Sequence, residues 1–209
     1  MGRYPRRVPA PTLLFIIGPP AVGKAAVGHE IAERTGFPLF HNHMTIEPVL
    51  RFFEFGSPPF ARLVEGFRSA LFEEVAASEL PGMIFTYVWA FDLPACDESV
   101  DRYAKAFRAA GARILYVELE TTQEERLRRN EHEWRLAEKP SKRDVTRSRE
   151  LLLELDAGHR LNSTDEFTGN PDYLRVDNTD LPPAETAERV ITHFELPRHT
   201  PAPVAGPSE

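Results

Sequence analysis

Apolar and polar positions fall along the chain in blocks whose period switches between strand-like and helix-like. Leu13-Leu-Phe-Ile-Ile17 is a continuous apolar run, the pattern of a strand buried on both faces. Residues 23–35 follow with Val27 and Ile31 four apart, which predicts a helix, and Gly36 supplies its stop. Pro38 to His43 reads as a short second strand. Phe60, Leu63, Val64, Phe67, Leu71 and Val75 share one face of a long amphipathic helix over 59–79. Met83 to Trp89 is the next strand, entered through Pro81-Gly82. A helix carrying Val100, Tyr103, Ala104 and Phe107 ends near Gly111, and Arg113 to Leu119 is a strand. Thr122 and Glu125 have the spacing of a capping box, opening a charged helix over about 122–137. A helix over about 144–156 and a strand from Tyr173 to Asp177 come next. Asp180 is placed to cap a last helix, with Pro182 and Pro183 in its first turn and Ala187, Val190, Ile191 and Phe194 buried.

Five strands alternating with helices predict an α/β fold, a parallel sheet covered on both faces. Ligands of such sheets bind at the carboxyl ends of the strands. Residues 1–11 and 197–209 are proline-rich and poor in apolar groups, and read as disordered tails around a domain over 12–196.

Composition narrows the function. The chain has 209 residues, 42% hydrophobic and 27% charged, enough for one sizeable core. A net charge of −7 argues against a broad nucleic-acid surface. A single cysteine, Cys96, excludes an intramolecular disulfide and a zinc ribbon. No apolar run approaches the ~20 residues of a membrane helix, and Leu13–Ile17 is too short for a signal-peptide core. These features predict a cytoplasmic protein with neither membrane nor nucleic acid as partner; monomer and homodimer both stay open.

The strongest chemical signal is Gly18-Pro-Pro-Ala-Val-Gly23-Lys24, between the first strand and the first helix. Backbone N–H groups converging at a helix N-terminus bind the dense charge of a triphosphate without side-chain ordering. Gly18 allows a sharp turn, Gly23 admits a phosphate where a Cβ would crowd it, and Lys24 adds a point charge. The donors required lie at about 22–26, so Ala21, Val22, Gly23, Lys24, Ala25 and Ala26 are the predicted phosphate contacts and Pro19 and Pro20 cost little. One position departs from the pattern. Ala25 stands where a Ser or Thr hydroxyl would ligate Mg²⁺.

Together with Phe40-His-Asn-His43, the basic segment 126–143 and Val176-Asp-Asn-Thr-Asp180, this loop resembles the small-molecule P-loop kinases, a group that includes shikimate, gluconate and nucleoside monophosphate kinases and chloramphenicol phosphotransferases. The resemblance covers about residues 12–196. It implies a three-layer P-loop NTPase fold with a five-stranded parallel sheet, a helical lid over about 126–143, ATP and Mg²⁺ as cofactors, and transfer of the γ-phosphoryl group to a hydroxyl of a small metabolite or antibiotic-like acceptor. Ala25 keeps a second reading open, an ATP-binding sensor or pseudokinase with little turnover.

Shikimate kinases carry two aspartates where this chain has His41 and His43, which face the same way if the strand continues. Either histidine can take a proton from an acceptor hydroxyl or hydrogen-bond it; either can equally be a packed structural residue. Histidine is a poor Mg²⁺ ligand, so the metal is sought at Asp92, which by position is both a magnesium candidate and a candidate helix cap. Trp89 and Phe91 are candidates for an acceptor-pocket wall or for core, and Arg51, with Phe52 and Phe53, is a further acceptor-side candidate. The run from Arg126 to Arg143 interleaves basic and acidic residues as a solvated helix face does. The resemblance assigns Arg129 and Arg135, and next Arg143, to phosphate contact from the lid, and Asn178 and Thr179 to the adenine.

Overall fold

A computed structural model describes residues 11–199. The tails expected at 1–11 and 197–209 lie outside the described residues, save for Pro11 and 197–199. Pro11 accepts a hydrogen bond from the Arg113 N–H (3.1 Å), and the His199 N–H donates to the Arg34 carbonyl (2.7 Å).

The strands are β1 (Thr12–Ile17), β2 (Leu39–His41), β3 (Gly82–Tyr87), β4 (Arg113–Glu120) and β5 (Tyr173–Asp177). They form one parallel sheet in the order β2-β3-β1-β4-β5. The helices are α1 (Lys24–Thr35), α2 (His43–Leu50), α3 (Pro58–Ala77), α4 (Pro94–Ala109), α5 (Gln123–Asn130), α6 (Glu133–Glu138), α7 (Val145–Gly158) and α8 (Pro183–Phe194). A 3-10 turn, Pro140–Lys142, separates α6 from α7.

β1 is the centre of the sheet and every residue of it is buried. Its side chains alternate between two cores. Leu14 and Ile16 pack with Val27 and Ile31 of α1 and Val190 and Phe194 of α8. Leu13, Phe15 and Ile17 pack on the other face with Phe72 of α3 and Tyr103 and Phe107 of α4. The continuous apolar run therefore has a simple cause: both faces of this strand are covered. The three-layer α/β architecture with five parallel strands agrees with the expectation.

Four local expectations are corrected. The second strand stops at His41, and Asn42 opens α2, so His43 sits on a helix rather than beside His41 on a strand face. The charged helix expected over 122–137 is two helices, parted at Glu131–His132, where the His132 ring accepts from the Trp134 N–H (3.3 Å). The last helix starts at Pro183 after Pro182, and Asp180 does not cap it. On α3, Leu63 and Phe67 are exposed, at 50% and 58%, while Arg68 and Phe72 turn inward. Among the described residues no helix is long and apolar enough to cross a membrane.

Candidate active site

The chain leaves β1 at Ile17 and turns at Gly18, whose φ of 132° lies in the left-handed region. A Cβ there would stand 2.4 Å from the Leu119 carbonyl oxygen, so only glycine fits. Ala21 (φ 61°) and Gly23 (φ 110°) continue the unusual backbone, and Gly23 is the N-cap of α1. The Val22 carbonyl, pointed away from the helix, accepts from the Arg129 guanidinium (2.9 Å) and from Asn178 Nδ2 (2.9 Å). Arg129 also donates to the carbonyls of Asn178 (2.8 Å) and Thr179 (2.9 Å) and pairs with Glu125 (2.6 Å). The loop is thus clamped to the segment after β5. Gly23 meets both clamps closely, with a Cβ there 3.2 Å from Asn178 Nδ2. Among the described residues the first-turn N–H groups of Lys24, Ala25 and Ala26 have no acceptor. Lys24 folds back, its Nζ donating to the carbonyls of Gly18 (2.6 Å) and Pro19 (2.7 Å).

A cavity of about 730 Å³ opens over this helix end. The loop supplies Ala21, Gly23, Lys24, Ala25 and Ala26; α5, α6 and the turn after them supply Arg129, Trp134, Arg135 and Lys139; the segment after β5 supplies Asn178 and Thr179. Gly18 and Val22 shape the loop from beneath. The volume lies in the range of small-molecule sites. Its electrostatics are one-sided around Lys24. Burial, then Lys139, Arg135 and Arg126, hold the Lys24 amine well below its ordinary value. Burial brings Arg135 down to about 10. Burial, then Arg135 and Lys142, bring Lys139 down to about 7.

Beside Lys139 stands the β2–α2 junction. His43 Nδ1 bonds Glu47 Oε1 at 2.8 Å. Glu47 also receives Ser141, through its hydroxyl (2.6 Å) and its N–H (3.0 Å). Burial raises the Glu47 carboxyl, but the bonds from His43 and Ser141 outweigh it and hold it at about 2. Burial lowers His43 to about 4 against the opposing pull of Glu47, and burial with Lys139 and His43 lowers His41 to about 4. At neutral pH the pair is therefore a neutral imidazole on an ionised carboxylate, with Nδ1 carrying the proton and Nε2 open as an acceptor. His41 is buried, 3.6 Å from Glu138. The junction is held from below by Arg68, buried on α3, which donates to Thr45 Oγ1 (3.0 Å), to the Asn42 carbonyl (3.2 Å) and to the Asn42 side chain.

Four expected residues, Asp92, Trp89, Arg51 and Arg143, are not brought to this cavity, and His41 and His43 are not part of its wall. Asp92 accepts from His159 (2.9 Å) and from the Arg160 N–H (3.0 Å), and Leu93, not Asp92, precedes α4 as its cap. Trp89 donates to Asp97 (2.7 Å) and stacks on Phe91, with Phe167 and Tyr116 completing an aromatic cluster. Arg51 lies exposed in the turn after α2. Arg143 donates to the Leu136 carbonyl (3.2 Å) and braces its own segment.

A magnesium ion needs oxygen ligands beside the phosphates. Ala25 offers none, and Asp92 is engaged elsewhere. Of the four acids on the cavity wall, Glu125 is paired with Arg128 and Arg129 and Glu30 with Arg34, while Glu33 and Asp180 make no salt bridge among the described residues. No group of three or more potential metal ligands occurs among the described residues. The donors at the loop do not fit a protein-held Mg²⁺; they fit the anion itself.

No protein-family model matches the chain, and no curated protein matches it either. Solved structures do. A sugar kinase from Janibacter sp. HTCC2649 superposes with a TM-score of 0.56 at 15% identity, over 89% of this chain and 95% of that one. The APS kinase of Mycobacterium tuberculosis, in complex with AMPPNP and APS, gives 0.53 at 16% identity over 90% and 99%. A shikimate kinase from Acinetobacter baumannii, in complex with shikimate, gives 0.52 at 18% identity over 88% and 93%. The chain has the fold of the small-molecule P-loop kinases.

On this fold, four residues that sequence reasoning passed over carry structure near the site. Glu47 lies on a helix that the sequence reading left unassigned, and Lys139 in a charge run. Arg68 sat on a face read as apolar. Glu118, fully buried at the end of β4, accepts from Asn162 (2.7 Å), Ser163 (2.6 Å) and Tyr173 (2.8 Å), and so anchors the connection from α7 to β5. Only Arg68 left a signal: a charge among apolar positions at helical spacing.

Proposed function

We propose that this protein is an ATP-dependent phosphotransferase acting on a hydroxyl of a small metabolite or antibiotic-like acceptor. One observation carries the reading: the open N–H groups of α1, Lys24, Arg135 and Lys139 converge on a single cavity, while a neutral histidine held by a carboxylate stands beside Lys139. The triphosphate lies against Gly23–Ala26, and the nucleobase end points toward Asn178 and Thr179. The acceptor oxygen attacks the γ-phosphorus, its proton passes to Nε2 of His43, and ADP leaves. Of the two histidines, His43 is the better base because Glu47 sets its tautomer and orientation. Segment 126–143 acts as the lid, bringing Arg135 and Lys139 onto the developing charge and excluding water. Arg129 contributes by shaping the loop.

The test is ADP release over a panel of hydroxyl-bearing acceptors, with and without added magnesium. Acceptor-stimulated release that vanishes in Lys24→Ala supports the reading; wild type no faster than that variant with every acceptor contradicts it. Ala25 favours a second reading, a nucleotide-binding sensor. It predicts tight ATP binding with the nucleotide left intact, and acceptor-stimulated turnover removes it.

A further inference from the structure

The donor set at the loop and the charges around it disagree with a magnesium-bound nucleotide. Resting on the nucleotide reading above, we propose that this chain takes up the triphosphate as the metal-free anion, with Lys24, Arg135 and Lys139 supplying the neutralising charge that a bridging cation would otherwise bring.

Arg126 is paired with Asp156, Arg129 with Glu125, and Arg175 with Glu118. Of the cations on the cavity wall, Arg128 and Arg129 pair with Glu125, while Lys24, Arg135 and Lys139 make no salt bridge among the described residues. Lys24 touches two carbonyls. Arg135 reaches only the amide oxygen of Asn130, at 3.2 Å. Lys139 makes no side-chain hydrogen bond, its nearest acidic neighbours, Glu138 and Glu47, acting on it through space. Half-buried like charges brought together without counter-charge repel one another and resist leaving water. The Lys24 and Lys139 amines are depressed chiefly by burial and then by that repulsion. A ligand carrying several negative charges removes it.

The form of the ligand follows from the charge. Metal-free ATP carries roughly twice the negative charge of its magnesium complex, since the ion cancels about two charges. The ion would also lie among lysines and an arginine, where it is repelled, and would find at Ala25 a methyl group instead of a hydroxyl. The site thus loses attraction and gains repulsion when magnesium is added.

The experiment is a calorimetric titration of the full chain with ATP, once in EDTA and once in excess magnesium chloride. Binding in EDTA at least as tight as in magnesium supports the inference. Magnesium tightening the binding tenfold or more overturns it and leaves the nucleotide reading standing. No binding under either condition overturns both. Two variants separate charge from fold. Lys139→Met keeps the volume and is expected to weaken metal-free ATP about tenfold. Ala25→Ser restores a magnesium ligand and is expected to make binding magnesium-strengthened. Wild-type metal-free affinity in Lys139→Met would remove that lysine from the assignment and overturn it.

Discussion

Glu47 and Lys139 decide most at the scale of single residues. Glu47 joins His43 of its own helix to Ser141 of the segment 126–143, so it ties the β2–α2 junction to that segment. Replacing it with Gln keeps the shape but leaves the His43 tautomer unfixed and removes the charge that favours the imidazolium. The expected outcome, once an acceptor is in hand, is a fall in kcat of about 10²–10³ with nucleotide affinity little changed; an unchanged kcat would deny His43 its role. Lys139 makes a pH prediction. Its amine, at about 7 in the free protein against an ordinary 10.5, faces Arg135 and Lys142 as repelling groups and Glu138 and Glu47 as attracting ones. A polyanion favours the charged form. Between those two values the free protein holds a neutral amine and the complex a charged one, so binding takes up a proton. Calorimetry at about pH 8 in two buffers of different ionisation enthalpy reads that proton. Lys24 is a second depressed amine in the site, so uptake that is absent, or that is not reduced in Lys139→Met, contradicts the assignment.

Among the elements, α5 is tied to α7 by Arg126, which is buried and bonds both oxygens of Asp156 (2.8 and 2.5 Å). Asp156→Ala leaves a buried guanidinium unpaired and is expected to cost about 3–5 kcal/mol, read by urea unfolding. Asp156→Asn, which keeps one hydrogen bond, is expected to cost less. How far the elements were legible from sequence depended on how they bury apolar surface. β1, α1 and the last helix were legible because their apolar positions fill the two cores with the periods of strand and helix. α2 was not: Pro48 lies inside it and reads as a breaker, and Phe40-His-Asn-His43 alternates like a strand. The break between α5 and α6 was also silent, because a charged run has no apolar stripe whose phase could slip there. The backbone of the loop 18–24 was legible, since Gly18 and Gly23 answer to its geometry. Asp92 was misplaced because its partners, His159 and Arg160, are remote in sequence.

Across the described residues the sheet carries a core on each face, and a charged opening stands at the carboxyl end of β1. The two histidines by that opening tie its stability to pH. His41 and His43 sit at about 4 in the folded chain, mainly through burial, against 6.5 when free. The unfolded chain therefore binds more protons between those values, and stability is lost as pH falls from about 6.5 toward 4. The expected loss is on the order of a few kcal/mol, seen as a lower thermal midpoint at pH 4.5 than at pH 7, and His43→Gln flattens the slope. Likeness to kinases of 15% to 18% identity fixes the fold, and the charges in the cavity point to the ligand. The most direct measurement is a calorimetric titration of wild type and Lys24→Ala with a non-hydrolysable ATP analogue. The account predicts one site per chain in wild type and an affinity at least tenfold weaker in the variant; no binding by wild type, or equal binding by both, would contradict it.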